Sequence, residues 1–160
     1  MELRNKKLLV IGAGSAQAAG IRRARELGCH VIAVDGNPNS PGFKEASEYV
    51  ALDFSKTDEV VKLASKKKID AVMTVSCDAA LYAVAEVVEK LNLPGLNHKM
   101  VDSALNKYNL RKNCAAAGIP VPFFAPSYSL EECCDACKKA KYPCVVKPMD
   151  SSGSRGVTFV

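Results

Sequence analysis

Four short apolar runs, alternating with turns and helical patterns over residues 7–97, leave this chain few folds to choose from. "KLLVIG" (7–12) has no polar face and ends in glycine, the signature of a strand buried on both sides within a parallel sheet. "CHVIAVD" (29–35), "EYVALD" (48–53) and "IDAVMTV" (69–75) read as three more strands. After the first strand a helix is expected from about Ala16, with Ala19, Ile21, Ala24 and Leu27 apolar and Gly28 where a C-terminal cap belongs. The turn-rich "GNPNSPGF" joins the second and third strands. A helix over 56–68 places Val60, Leu63 and Ala64 at i, i+3 and i+4, and a helix over 78–92 stops at Pro94-Gly95. Such alternation predicts an α/β domain over 1–97: a Rossmann-like parallel sheet with helices on both faces.

Beyond Asn97 the pattern changes. "HKMVDSALNKYNLRKNCAAAG" reads as one long helix ending at Gly118, and "IPVPFFAPSYS" as an extended, proline-punctuated connector. Ser129-x-x-Glu132 has capping-box spacing and opens a helix to about Ala140, before a strand in "PCVVKP". Residues 98–160 therefore read as α–loop–α–β, an incomplete α+β segment that opens a second domain of a longer protein. An unfinished β element at 143–160 would expose a free edge, which invites disorder or a homodimer formed through it.

Composition narrows the function. The net charge of +5 is carried largely by Lys66, Lys67, Lys68, Lys138, Lys139 and Lys141, at the ends of two expected helices where the helix dipole favours cations. No aromatic residues interleave with them, so a nucleic-acid surface is not expected. No apolar run approaches the ~20 residues of a membrane span, and the start runs into a strand without a cleavage site. Seven cysteines, an odd number scattered through regular elements, fit free thiols in a reducing cytoplasm. Cys133, Cys134 and Cys137 share one helical segment, but nothing completes a four-ligand zinc site. They read as small helix residues, and no metal site is expected. His30 and His98 have no ligand or carboxylate near them in sequence and receive no role.

Two stretches carry candidate chemistry. Gly12-x-Gly14 after the first strand begins a dinucleotide fingerprint, in which glycines let backbone N–H groups approach a pyrophosphate at a helix N-terminus. Asp35 stands where a ribose-binding acid would be. The third glycine of G-x-G-x-x-G is replaced by Gln17, which should crowd the phosphate or push the helix away. A nicotinamide dinucleotide module is thus one reading; a purely structural turn, or one facing another small substrate, is the other. Asp78, after "TVSC", reads either as a helix N-cap or as a substrate contact.

The second stretch closes the chain. Lys147 ends an apolar strand and is followed by Ser151, Ser152, Gly153, Ser154, Arg155 and Gly156. Backbone N–H groups and hydroxyls of such a loop can wrap phosphate oxygens, and a guanidinium adds a planar donor. The order differs from a P-loop, because the lysine precedes the loop. A phosphate-holding hairpin flap and an ordinary polar hairpin both fit.

In order along the chain, Asn106-Lys107, Arg111, Gly118-Ile119-Pro120-Val121-Pro122, Val145-Val146-Lys147-Pro148 and Ser152-Gly153-Ser154-Arg155-Gly156-Val157 resemble the ATP-grasp superfamily. That superfamily includes biotin carboxylase and the large subunit of carbamoyl-phosphate synthetase. The resemblance implies a pre-ATP-grasp domain followed by the start of an ATP-grasp domain. It also implies that Lys107 and Lys147 contact ATP phosphates beneath the 151–156 loop. Arg111 is variable in the family and reads equally as an exposed helix residue. By the same resemblance the longer protein would use ATP with magnesium to turn a small-molecule carboxylate into an acyl phosphate for an amine to attack. Gly12, Gly14 and Asp78 would face the substrate side. The family's metal-holding residues lie downstream of the loop, so these 160 residues are not expected to catalyse ligation alone.

Overall fold

The computed structural model describes residues 3–160 and resolves into two compact units, the first running to Val101 and the second from Asp102 to Val160. Unit 1 holds β1 (Lys7–Ile11), α1 (Ser15–Glu26), β2 (His30–Asp35), β3 (Glu48–Ala51), α2 (Thr57–Lys67), β4 (Ala71–Met73) and α3 (Leu81–Leu91). The strands form one parallel sheet in the order β3-β2-β1-β4, with Lys7 opposite His30 and Leu8 opposite Ala71.

Alternation along the two central strands divides the core. Leu9, Ile11, Ile32 and Val34 face α2 and α3, meeting Val60, Ala64, Val84 and Val87. Val10, Val31 and Ala33 face the other way, meeting Ile21 of α1 and Phe43. Phe43 belongs to a 3-10 turn over Pro41–Glu45. The expected α/β sheet with helices on both faces is therefore borne out. Burial of each of these large side chains stabilises the unit by roughly 1.5–3 kcal/mol.

Strands and helices stop where specific bonds take over. α1 begins at Ser15 with Gly14 as its N-cap residue. Its far end closes with Gly28 at φ +94° donating to the Arg25 carbonyl at 2.9 Å, and Cys29 donating to the Ala24 carbonyl at 3.1 Å. β4 is shorter than the expected 69–75. Past Met73 the ladder to β1 gives way to side-chain bonds: the Thr74 hydroxyl donates to the Ile11 carbonyl at 2.7 Å. The helix expected from Asp78 instead enters through a 3-10 turn, Asp78–Ala80, preceded by Ser76 at φ 51°. Cys77, not Asp78, occupies the N-cap position, and no side chain caps the turn. The N-cap reading of Asp78 is thereby corrected: the left-handed bend at Ser76 starts the turn one residue early.

The single long helix expected after Asn97 is two helices, α4 (His98–Leu105) and α5 (Lys107–Ala116). Asn106 breaks it. Its backbone is extended and its side chain accepts hydrogen bonds from the N–H groups of Tyr108 and Asn109, as an asparagine N-cap does. At the start of α4, His98 lies between two carboxylates of α3, 3.3 Å from Glu86 and 3.1 Å from Glu89, and its own N–H donates to Glu89.

Unit 2 continues from α5 through Gly118, whose φ of +73° and N–H bond to the Ala115 carbonyl close the helix. After the extended connector comes α6 (Leu130–Ala140). Ser129 Oγ accepts from the Glu132 N–H at 3.1 Å, and the Glu132 carboxylate accepts from Tyr128, one residue earlier than the usual reciprocal bond. β5 (Val145–Val146) and β6 (Thr158–Phe159) pair antiparallel, with Cys144 and Val160 exchanging two further backbone bonds.

Candidate functional site

The break at Asn106 makes Lys107 the first residue of α5 rather than a mid-helix side chain. Its N–H donates to the Met149 carbonyl at 2.9 Å, and its ammonium donates to the Ser151 carbonyl. Two bonds from one residue thus fix the root of the loop between β5 and β6. Lys147 follows β5 directly and is exposed. Lys107, Lys147 and residues 151–155 of the loop line one cleft of about 260 Å³.

Within the loop, Gly153 and Gly156 have φ of +66° and +71°, and Ser154 has φ 58°. Left-handed residues turn successive N–H groups to one side, which creates a concavity for anions. Gly156 is further required by contact, since a Cβ there would come within 2.8 Å of Pro148 Cγ. Arg155 bends back to donate from Nε to the Ser152 carbonyl at 3.1 Å. Ser151 and Ser152 are half-buried, whereas residues 153–156 face solvent. Two ammonium groups, a guanidinium, serine hydroxyls and a turned backbone form a donor-rich cleft with no carboxylate in its lining. Such a set holds phosphate by charge and hydrogen bonds.

A larger cavity of about 740 Å³ adjoins the same two lysines in unit 2. Arg111, half-buried, lines it, as do the rings of Tyr108 and Phe124, which meet at 5.7 Å and 59°. The aromatic pair escaped sequence reading because the connector, not helical spacing, brings its members together. Cys133, Cys137 and Cys144 line this cavity too, and burial pushes the thiols of Cys133 and Cys137 up. Protonated thiols behave as small packing residues. Among the described residues no group of three His, Cys, Asp or Glu side chains is placed to hold a metal ion. Nor is any helix among them long and apolar enough to cross a membrane.

The other candidates belong to unit 1. Gly12, at φ +90°, and Gly14 form the turn between β1 and α1 at the carboxyl end of the sheet. Asp78 is exposed in the turn after β4, at that same end. Asp35 holds the glycine turn itself, its Oδ2 accepting from the Ala13 N–H at 2.7 Å and its Oδ1 from Asn37 at 2.9 Å. Gln17 neither pushes α1 away nor stays loose: it is buried, and its amide donates to the Val75 carbonyl at 2.6 Å.

Residues 21–95 match the sequence profile of the ATP-grasp N-terminal domain. Over that stretch the chain is similar to ATP-grasp N-terminal domains. Relatives of the ATP-grasp type extend the likeness to nearly the whole chain. The formate-dependent phosphoribosylglycinamide formyltransferase of Ignicoccus hospitalis is 26% identical over 156 residues, covering 97% of this chain and 39% of that protein. The solved phosphoribosylglycinamide synthetase of Anaerococcus prevotii is 30% identical with a TM-score of 0.73, over 91% of this chain and 37% of its own. An N5-carboxyaminoimidazole ribonucleotide synthetase solved as its ADP complex superposes with a TM-score of 0.86 over 99% of this chain and 41% of that one. At 20% identity that likeness is one of fold. The chain spans about two-fifths of the length of the curated relatives it matches.

Proposed function

We propose that this chain belongs to an ATP-dependent ligase, in which unit 2 opens the nucleotide site. The observation that carries this reading is the convergence of Lys107, Lys147 and residues 151–155 of the loop on one cleft of unit 2, in a chain whose residues 21–95 match the ATP-grasp N-terminal profile. The residues present suit a polyphosphate. Lys147 offers a point charge, the left-handed loop offers N–H groups, and Lys107 sits at the start of a helix, whose dipole also favours anions. ATP, when bound, would supply the phosphoryl group that turns a carboxylate into an acyl phosphate with release of ADP, and an amine or similar nucleophile attacking the acyl carbon would then expel inorganic phosphate.

The contribution of this chain is positional and electrostatic. Lys107 and Lys147 neutralise phosphate charge, and the loop excludes water from above, which is how phosphoryl transfer is mostly catalysed. Gly12, Gly14 and Asp78 in unit 1 face the end of a parallel sheet where ligands usually bind, and they are assigned to the small-molecule carboxylate or amine. Magnesium is assigned to the longer protein and receives no ligand from the described residues. A cytoplasmic location and a homodimer complete the proposal, the latter through the free edges of the β5–β6 pair.

Calorimetry on the longer protein tests the site. Lys147→Ala is expected to weaken ATP binding by about 10-fold or more, the scale of one lost charge-assisted hydrogen bond. An unchanged affinity would overturn the assignment. The 160 residues alone, at two-fifths of the relatives' length, are expected to form no acyl phosphate; ATP-dependent formation by them would overturn the division of labour.

A further inference from the structure

The gap between the carboxyl ends of β1 and β4 lies where the sheet order reverses, since β2 and β3 lie on one side of β1 and β4 on the other. Ligands of open parallel sheets enter at such a point. Most of a dinucleotide site stands ready there. Gly12 has the left-handed turn, Gly14 is the N-cap of α1, and Asp35 ends β2. The Asp35 oxygens that bond Ala13 and Asn37 each retain a lone pair for a ribose hydroxyl.

One side chain stands in the way. Gln17 is only 7% exposed and lies across the turn: a Cβ on Gly12 would be 3.5 Å from Gln17 Cγ, and a Cβ on Gly14 2.9 Å from its Oε1. The bond to Val75 fixes which way the amide points. A carbonyl can only accept, so Nε2 faces Val75 and Oε1 faces the glycine turn. Phosphate oxygens approaching the N-terminus of α1 would therefore meet a carbonyl oxygen in the space they need. Both the sterics and the sign of the dipole oppose them.

We propose that Gln17 is a specificity-determining residue, closing the carboxyl-end crevice of unit 1 to dinucleotide pyrophosphates and presenting an acceptor oxygen where such sites offer only donors. This inference concerns unit 1 and stands whether or not Lys107 and Lys147 hold ATP. Gln17→Gly completes the G-x-G-x-x-G spacing that Gly12 and Gly14 begin, and Gln17→Ala removes the amide while keeping a good helix former in α1.

The test is an amide NMR titration of the chain and both variants with NAD⁺, read at Gly12, Ala13, Gly14, Ser15 and Ala16. The unaltered chain should show no saturable shift at those five amides. At least one variant should saturate with an apparent affinity tenfold or more above the unaltered chain. Saturable shifts in the unaltered chain, or two folded variants as unresponsive as their parent, would overturn the proposal. Circular dichroism establishes folding of each variant. Failure of the ATP reading would appear instead in calorimetry of the Lys147→Ala variant of the longer protein, so the two outcomes are separable.

Discussion

The ammonium of Lys107, at the first turn of α5, donates to the backbone carbonyl of Ser151, at the base of the loop that follows β5. The loop is therefore anchored by the residue proposed to bind phosphate. Lys107→Ala should speed amide hydrogen exchange over residues 149–156. In the longer protein it should weaken nucleotide binding roughly 10- to 100-fold, the range of a lost charge-assisted bond. Exchange rates unchanged over that segment would separate Lys107 from the loop.

Gly42→Ala should destabilise unit 1. The Gly42 N–H donates to the Ala13 carbonyl at 2.7 Å, and an added Cβ would sit 2.6 Å from that oxygen and 2.9 Å from Ile21 Cδ1. Relief requires moving the glycine turn or the core, at a cost of about 1–3 kcal/mol. Thermal unfolding should shift down by several degrees. Gly118→Ala is a useful contrast, because its Cβ would meet nothing and only the left-handed backbone opposes it.

Asp35→Ala should cost about 1–3 kcal/mol, the penalty for a buried donor left without its acceptor. Ala13 is fully buried, and its N–H loses the Asp35 carboxylate at 2.7 Å. Asp35→Asn keeps one acceptor oxygen and should recover part of the loss. Urea denaturation of both variants measures the order: wild type, then Asn, then Ala.

Acid should weaken a second cluster. Lys67 and then His30 hold the Glu48 carboxyl below its usual range, tying β3 to the end of α2 and to β2. A depressed carboxylate stabilises the fold fully above its unfolded pKa of about 4.3, and the stabilisation disappears as pH falls through the folded value. The stability gap between wild type and Glu48→Gln should accordingly be constant near neutrality and close below about pH 4. Denaturation midpoints measured from pH 7 to pH 3 would show whether it does.

Sequence alone carried the layered sheet because β1 and β2 are apolar on both faces, a pattern that admits few alternatives. It overran the ends of elements. β4 stops early because Thr74 and Gln17 satisfy backbone carbonyls with side chains, a substitution that leaves no trace in hydrophobic periodicity. Helical periodicity also runs through Asn106 without interruption, so the cap that divides α4 from α5 was hidden behind a residue type with several uses. Lys107, Lys147 and the glycine-serine loop were legible through their order along the chain. The Tyr108–Phe124 pair was not, because an irregular connector sets its geometry.

β1 is an inner strand of its sheet, yet it is the first of the four to be made. It pairs with residues 30–34 on one side and waits for residues 71–73 on the other. On the ribosome, the β4-facing edge of this buried strand stays open until β4 has emerged from the exit tunnel. Shielding of a nascent chain by a holding chaperone would matter most during that interval, and synthesis slowed between β2 and β4 would lengthen it.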